Sequence, residues 1–118
     1  MQRIKLKAGD YLYSEGDSAE RAFLLLEGEI AFFQNRERVM DVQRGRFFGD
    51  LQIFKKGHYP ATAAAVTDAV VLAFDGEEML DHLMEDREKL REYLIDIEDR
   101  AEALLDMLMR VKYPQMRR

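Results

Sequence analysis

The chain has 118 residues, 47% of them apolar, and a formal net charge of −5. That is enough apolar material for one folded domain with a real core, and too much for a disordered chain. The acidic balance argues against direct nucleic-acid binding, and the absence of cysteine excludes disulfides, thiolate metal sites, iron–sulfur clusters and a cysteine nucleophile.

A cysteine-free chain suits a reducing cytoplasm, which is the expected location. Residues 1–8 are basic, but no apolar segment of a secretion signal follows them. The longest apolar run, 61–74, is interrupted by Thr62, Thr67 and Asp68. It falls short of the roughly 20 residues that span a bilayer, so no membrane partner is expected. Basic residues gather only at the end, at Arg110, Lys112, Arg117 and Arg118, which reads as a solvated helix terminus.

Up to Asp75, short apolar runs are punctuated by glycine at positions 9, 16, 28, 45, 49 and 57. Ile4 and Leu6 alternate, and Ala8-Gly9-Asp10 makes a turn. A short strand over 11–13 ends at Glu15-Gly16-Asp17. Strands over 22–26 and 29–34 flank Glu27-Gly28, which reads as a hairpin turn. Asn35 to Arg38 form a polar hairpin tip before a strand over 39–42. Phe47-Phe48-Gly49-Asp50-Leu51 breaks the strand pattern. Two further strands cover 62–66 and 70–74, linked by Thr67-Asp68. About eight short antiparallel strands at regular spacing predict a β-barrel or jelly roll, which leaves few open edges. Gly28, Gly45 and Gly49 are expected to serve backbone needs, either positive φ or close approach.

Beyond Asp75, residues 77–112 hold no glycine or proline and read as helix. Asp75 is an N-cap with Glu78 three residues on, a capping-box spacing. Met79, Leu80, Leu83 and Met84 form the apolar face of this short helix, and Asp86 caps a second, longer one. Strands followed by helices give an α+β chain. It is expected to be a single domain over 1–118, with a β-barrel at 1–75 and a helical region at 76–112.

The second helix carries Leu90, Leu94, Ile97, Ala101, Leu104, Leu108 and Val111, spaced 4, 3, 4, 3, 4, 3. This is a heptad a/d stripe, whose strict 3.5 period favours pairing with a second helix. It predicts a homodimer through these residues. The competing reading is one amphipathic helix packed on its own barrel. Tyr93, Leu105 and Met107 widen the stripe enough to serve both a barrel and a partner.

Lys7 to Asp17, with its glycine turn, strand and Glu-Gly-Asp turn, resembles the opening of cyclic-nucleotide-binding domains. Phe23-Leu24-Leu25-Leu26-Glu27-Gly28-Glu29-Ile30 resembles the next hairpin of that family. Gly45-Arg46-Phe47-Phe48-Gly49-Asp50-Leu51 resembles the start of the phosphate-binding cassette of that family. The resemblance covers about residues 5–112 and implies a catabolite-activator-like regulatory sensor domain. In such regulators the long helix dimerises and a helix-turn-helix domain follows; no such domain is visible in this sequence.

The resemblance also implies a ligand, cyclic AMP (cAMP) or cyclic GMP (cGMP), bound at Gly49, Asp50, Leu51, Ala61 and Thr62. In the family, backbone N–H groups and one arginine hold the cyclic phosphate, and a carboxylate accepts from the ribose hydroxyl. The chemistry is sound: glycine lets the backbone approach an anion, and a guanidinium adds a planar charge-assisted pair. Here Asp50 stands where the family has Glu. The family's arginine falls at Tyr59 or Pro60, neither of which carries a cation, and proline lacks even an N–H. Ala61 and Thr62 match the small pair that follows. Binding is therefore expected to be weak. Arg46, Lys55, Lys56 and His58 are the neighbouring positive groups, read as solvated loop residues.

His58 and His82 lack a second ligand at metal spacing. Ser14 and Ser18 have no histidine partner in sequence, and the acid pairs Glu77-Glu78 and Glu98-Asp99 lie on helix surfaces. No catalytic set is visible, so the chain is not expected to be an enzyme. The leading expectation is a ligand-responsive signalling or transcription-regulator effector module. The alternative is a protein-interaction or dimerisation module with a vestigial pocket.

Overall fold

The computed structural model describes residues 1–116; Arg117 and Arg118, the end of the basic tail, lie outside the described residues. The eight strands are β1 (Gln2–Leu6), β2 (Tyr11–Tyr13), β3 (Arg21–Glu27), β4 (Ile30–Gln34), β5 (Glu37–Asp41), β6 (Phe47–Phe48), β7 (Thr62–Ala65) and β8 (Ala69–Asp75). Two helices follow, α1 (Gly76–Leu83) and α2 (Arg87–Lys112), and then a single 3-10 turn at Pro114–Met116. The strands form two four-stranded antiparallel sheets, ordered β1-β8-β3-β6 and β2-β7-β4-β5. This is the expected jelly roll followed by helices.

Alternation and burial explain the roll. On one face of the first sheet Phe23 pairs with Ala73 and Leu25 with Val71, and all four are essentially fully buried. On the second sheet Ile30 pairs with Ala65 and Phe32 with Ala63, against Tyr13 on β2. β8 buries residues on both faces, which is why its sequence, AVVLAFD, reads as a continuous apolar run rather than an alternation. Truncating Phe23 to alanine in such a core costs about 3–5 kcal/mol.

Two readings of the sequence are corrected. Glu27-Gly28 does not turn a hairpin: β3 belongs to the first sheet and β4 to the second, so Gly28 is a corner between sheets. Of the two, only Gly28 has a positive φ, +82°, whereas the favoured two-residue hairpin turns need a positive φ at the first central position, here Glu27. The Asn35–Arg36 tip, at φ 50° and 67°, meets that requirement and does join the β4–β5 hairpin. The second correction is β6. Phe47 and Phe48 are not a break but two paired residues, opposite Leu24 and Phe23.

Packing divides the chain into two compact units, Met1–Leu80 and Asp81–Arg118. The start of α1 lies in the first unit, where Met79 is fully buried, while Leu80 is 43% exposed. Leu83 is buried and Met84 exposed, so half of the expected apolar face of α1 is covered. α2 begins as predicted, with the Asp86 carboxylate accepting from the Lys89 amide at 2.8 Å. No described helix is long and apolar enough to cross a membrane.

Candidate functional site

The site begins where β6 ends. Gly49 has φ +68° and turns the chain into the irregular segment 50–56. Asp50, the buried acidic residue of the first unit, is 1% exposed, and Ile53 anchors the segment in the core. The segment closes on itself through the Gly57 amide to the Gln52 carbonyl, 3.0 Å. It is then laced to the loop before β3. The Ala19 amide donates to the Gly57 carbonyl, the Tyr59 amide to the Asp17 carbonyl, and the Gly16 amide to the Tyr59 carbonyl, at 2.8–2.9 Å.

The five residues expected to hold a ligand separate in character. Gly49 and Asp50 face inward at the turn. Leu51 is 54% exposed. Ala61 is buried at the entry to β7. The Thr62 hydroxyl accepts from the Glu15 amide at 2.9 Å, so it already serves the turn after β2. Arg46, Lys55, Lys56 and His58 are all exposed. His58 forms a β-bridge with Ser18, and Lys56 lines an open groove of about 510 Å³ with Ser18, Phe54 and Leu80. A second groove of about 690 Å³ takes in Tyr11, Phe33, Arg36, Arg38 and Thr62. Neither groove is lined by Gly49, Asp50, Leu51 or Ala61.

What lies against Gly49 is aromatic. A Cβ placed there would be 3.3 Å from the Tyr59 ring and 3.4 Å from the rings of Phe23 and Tyr13. Tyr13 and Tyr59 stack, with ring centroids 3.7 Å apart and planes at 14°. Phe23 stacks on Phe48, which meets Phe32 edge-on. The Tyr59 hydroxyl donates to the Arg21 carbonyl at 2.6 Å and accepts from the Arg21 amide at 3.2 Å. Burial pushes the Tyr13 phenol well above its ordinary range, and the Tyr59 phenol and Asp50 carboxylate add to that rise. Burial also raises Tyr59, against the hydrogen bonds from the backbone near Arg21.

In sequence, Tyr59 reads only as a place where the family's arginine is missing and Tyr13 only as a strand residue. Both pack against the Gly49 turn and stack on each other. The available signal was a large aromatic in a loop, Gly57-His58-Tyr59-Pro60, that otherwise has no apolar periodicity. Pro60 itself is exposed, and its carbonyl accepts from the Gln34 side-chain amide at 2.9 Å. Among the described residues no group of His, Asp or Glu is placed to hold a metal ion.

Comparison with known proteins places the fold. The chain is 34% identical over 71 residues to a cAMP-dependent protein kinase regulatory subunit of Hypocrea atroviridis, covering 60% of this chain and 15% of that protein. It is 23% identical over 115 residues to a CRP-like cAMP-activated global transcriptional regulator of Mycobacterium tuberculosis, covering 93% of this chain and 46% of that one. The chain thus spans less than half the length of either relative. Among solved structures, a transcriptional regulator from Thermotoga maritima superposes with a TM-score of 0.83 at 22% identity, over 94% of this chain and 91% of that chain. The Thermus thermophilus catabolite activator protein gives 0.69 at 24% identity, over 91% and 54%. These structural likenesses carry the fold. Residues 3–86 match the cyclic nucleotide-binding domain as a family, and the chain belongs to that family.

Proposed function

We propose that this chain is a regulatory module of the cyclic nucleotide-binding type that has lost tight affinity for cyclic nucleotides and works as a homodimer through α2. The observation that carries the reading is the turn at Gly49–Asp50. It has the positive φ and the buried carboxylate of a cassette start, yet no cation follows at Tyr59 or Pro60. A cyclic phosphate stays charged at any physiological pH, and an anion moved out of water without a cation loses several kcal/mol of hydration. Losing one charge-assisted contact alone lowers affinity roughly tenfold to a hundredfold. Backbone N–H groups still attract an anion, so weak binding of cAMP or cGMP is the expected remainder.

The dimer part rests on the second unit. From position 101 to 112 every residue of α2 is exposed, although Leu104, Leu105, Met107, Leu108, Met109 and Val111 lie in that stretch. A run of that kind in water calls for a partner.

A second reading, an interaction module with a vestigial pocket, is favoured by the aromatic packing around Gly49. A thermal-shift panel of cAMP, cGMP and small metabolites separates the two. A true ligand at a hundredfold over its Kd adds about 2.7 kcal/mol of stability. A flat panel selects the interaction module, and a submicromolar Kd for cAMP by calorimetry overturns the degenerate-site reading.

A further inference from the structure

We infer that Tyr59 is a built-in occupant of the space beside the Gly49–Asp50 turn, and that its ring, more than the absent cation, decides what this domain admits. The inference rests on reading residues 45–51 as a retained cassette turn.

Three observations carry it. A Cβ added to Gly49 would come within 3.3 Å of the Tyr59 ring and 3.4 Å of Phe23 and Tyr13, so rings already fill the space on that side of the glycine. The Tyr59 ring is stacked face to face on Tyr13, with centroids 3.7 Å apart, so its inner face is covered by a second ring. Finally, it is pinned. The hydroxyl uses both backbone groups of Arg21, the Tyr59 amide is bonded to Asp17 and its carbonyl to Gly16. The backbone bonds hold the Tyr59 main chain in place, and swinging the ring away strands both backbone groups of Arg21, each of which costs free energy to leave unpaired. An exposed tyrosine acting as a flexible cover has no such ties; Tyr59 is 5% exposed.

Charge and room are therefore separate obstacles, and substitutions separate them. Pro60→Arg restores a cation but leaves the ring in place. Its affinity for cAMP, measured by calorimetry, is expected to stay within about threefold of the parent chain. Y59A/P60R removes the ring as well and is expected to gain at least about tenfold, the worth of a charge-assisted contact once it can form. Y59A alone is expected to take up p-cresol, the detached tyrosine side chain, seen as a rise in melting temperature that the parent chain does not show. If Y59A fails to fold, Y59L/P60R takes the place of Y59A/P60R in the calorimetry, and restoration of folding by p-cresol becomes the readout for Y59A.

A tenfold gain from Pro60→Arg alone overturns the inference while keeping the cassette reading. A Y59A that p-cresol neither stabilises nor restores overturns it too, because no ligand-sized room was freed. If p-cresol binds but no variant gains cAMP or cGMP, the space is not a nucleotide site, and the cassette reading falls with the inference.

Discussion

Gly28 lies against the backbone of Ala69: a Cβ on Gly28 would sit 2.7 Å from the Ala69 Cα, closer than any real contact of that kind. The close approach occurs where β3 crosses to β4 and passes the start of β8. At φ +82° an L side chain is disfavoured as well. Gly45 has a similar φ, +79°, but a Cβ there meets nothing within 4 Å. The two glycines thus separate conformational cost from collision. Gly45→Ala is expected to cost about 1–2 kcal/mol, the left-handed penalty alone. Gly28→Ala adds a backbone clash that cannot be relieved by a rotamer, and is expected to exceed about 3 kcal/mol. Urea denaturation of both variants checks this; equal losses would mean that the corner at Gly28 yields.

Asp75 and Glu78 cap α1 reciprocally. The Glu78 amide donates to the Asp75 carboxylate at 2.8 Å, and the Asp75 amide donates to the Glu78 carboxylate at 3.0 Å. The N-terminal amine of Met1 also pairs with Glu78. Asp75→Ala strands an amide at the helix start and is expected to cost about 1 kcal/mol. Asp75→Asn, which keeps an acceptor, is expected to lose much less. A denaturation curve that shows the same loss for both would place the effect in charge rather than in the cap.

Tyr13 and Tyr59 give the fold an alkaline limit. Burial raises both phenols in the folded state, Tyr13 more strongly. A group that holds its proton more tightly when folded contributes stability that is full below its unfolded pKa, about 10 for tyrosine, and is lost as pH rises above it. Stability is therefore expected to be level through neutral pH and to fall above about pH 10. Phenolate absorbance should show Tyr13 and Tyr59 ionising only as the chain unfolds. If all five tyrosines titrate together in the folded protein, the ring pair is open to water.

Much of this was legible in the sequence because the signals were local. Glycine punctuation located the strands, and Asp75–Glu78 and Asp86 marked both helix starts by side chains that bond their own backbone. What failed was non-local. Glu27-Gly28 carries turn chemistry, but whether the next strand pairs with the last is decided by β8 and β7, more than 30 residues on. β6 has two residues, too few for any periodicity. At the site, sequence shows directly that Tyr59 and Pro60 carry no positive charge. It could not give the stack on Tyr13, because 46 positions separate the two rings and only the closing of the roll brings them together.

The dimer prediction rests on α2 alone. Its 26 residues rise about 39 Å, long for a domain of this size. Tyr93 is its buried residue, whereas Leu94, Leu104, Leu108 and Val111 of the heptad stripe are 50–79% exposed. Fully burying one such leucine is worth about 1.5–3 kcal/mol, so several in register supply enough to hold two helices together. Ala101 keeps the middle of the stripe small and lets the helices approach. Leu104→Glu sets two carboxylates facing each other across the seam, where desolvation and like charge act in the same direction. Sedimentation velocity at micromolar concentration is expected to give a dimer for the parent chain and a monomer for Leu104→Glu. Arg110→Ala is the control: its pair with Asp106 is exposed, worth no more than about 1 kcal/mol, and its loss should leave the dimer intact. A parent chain that sediments as a monomer removes the homodimer from the proposal. A Leu104→Glu variant that remains dimeric moves the interface off the heptad stripe.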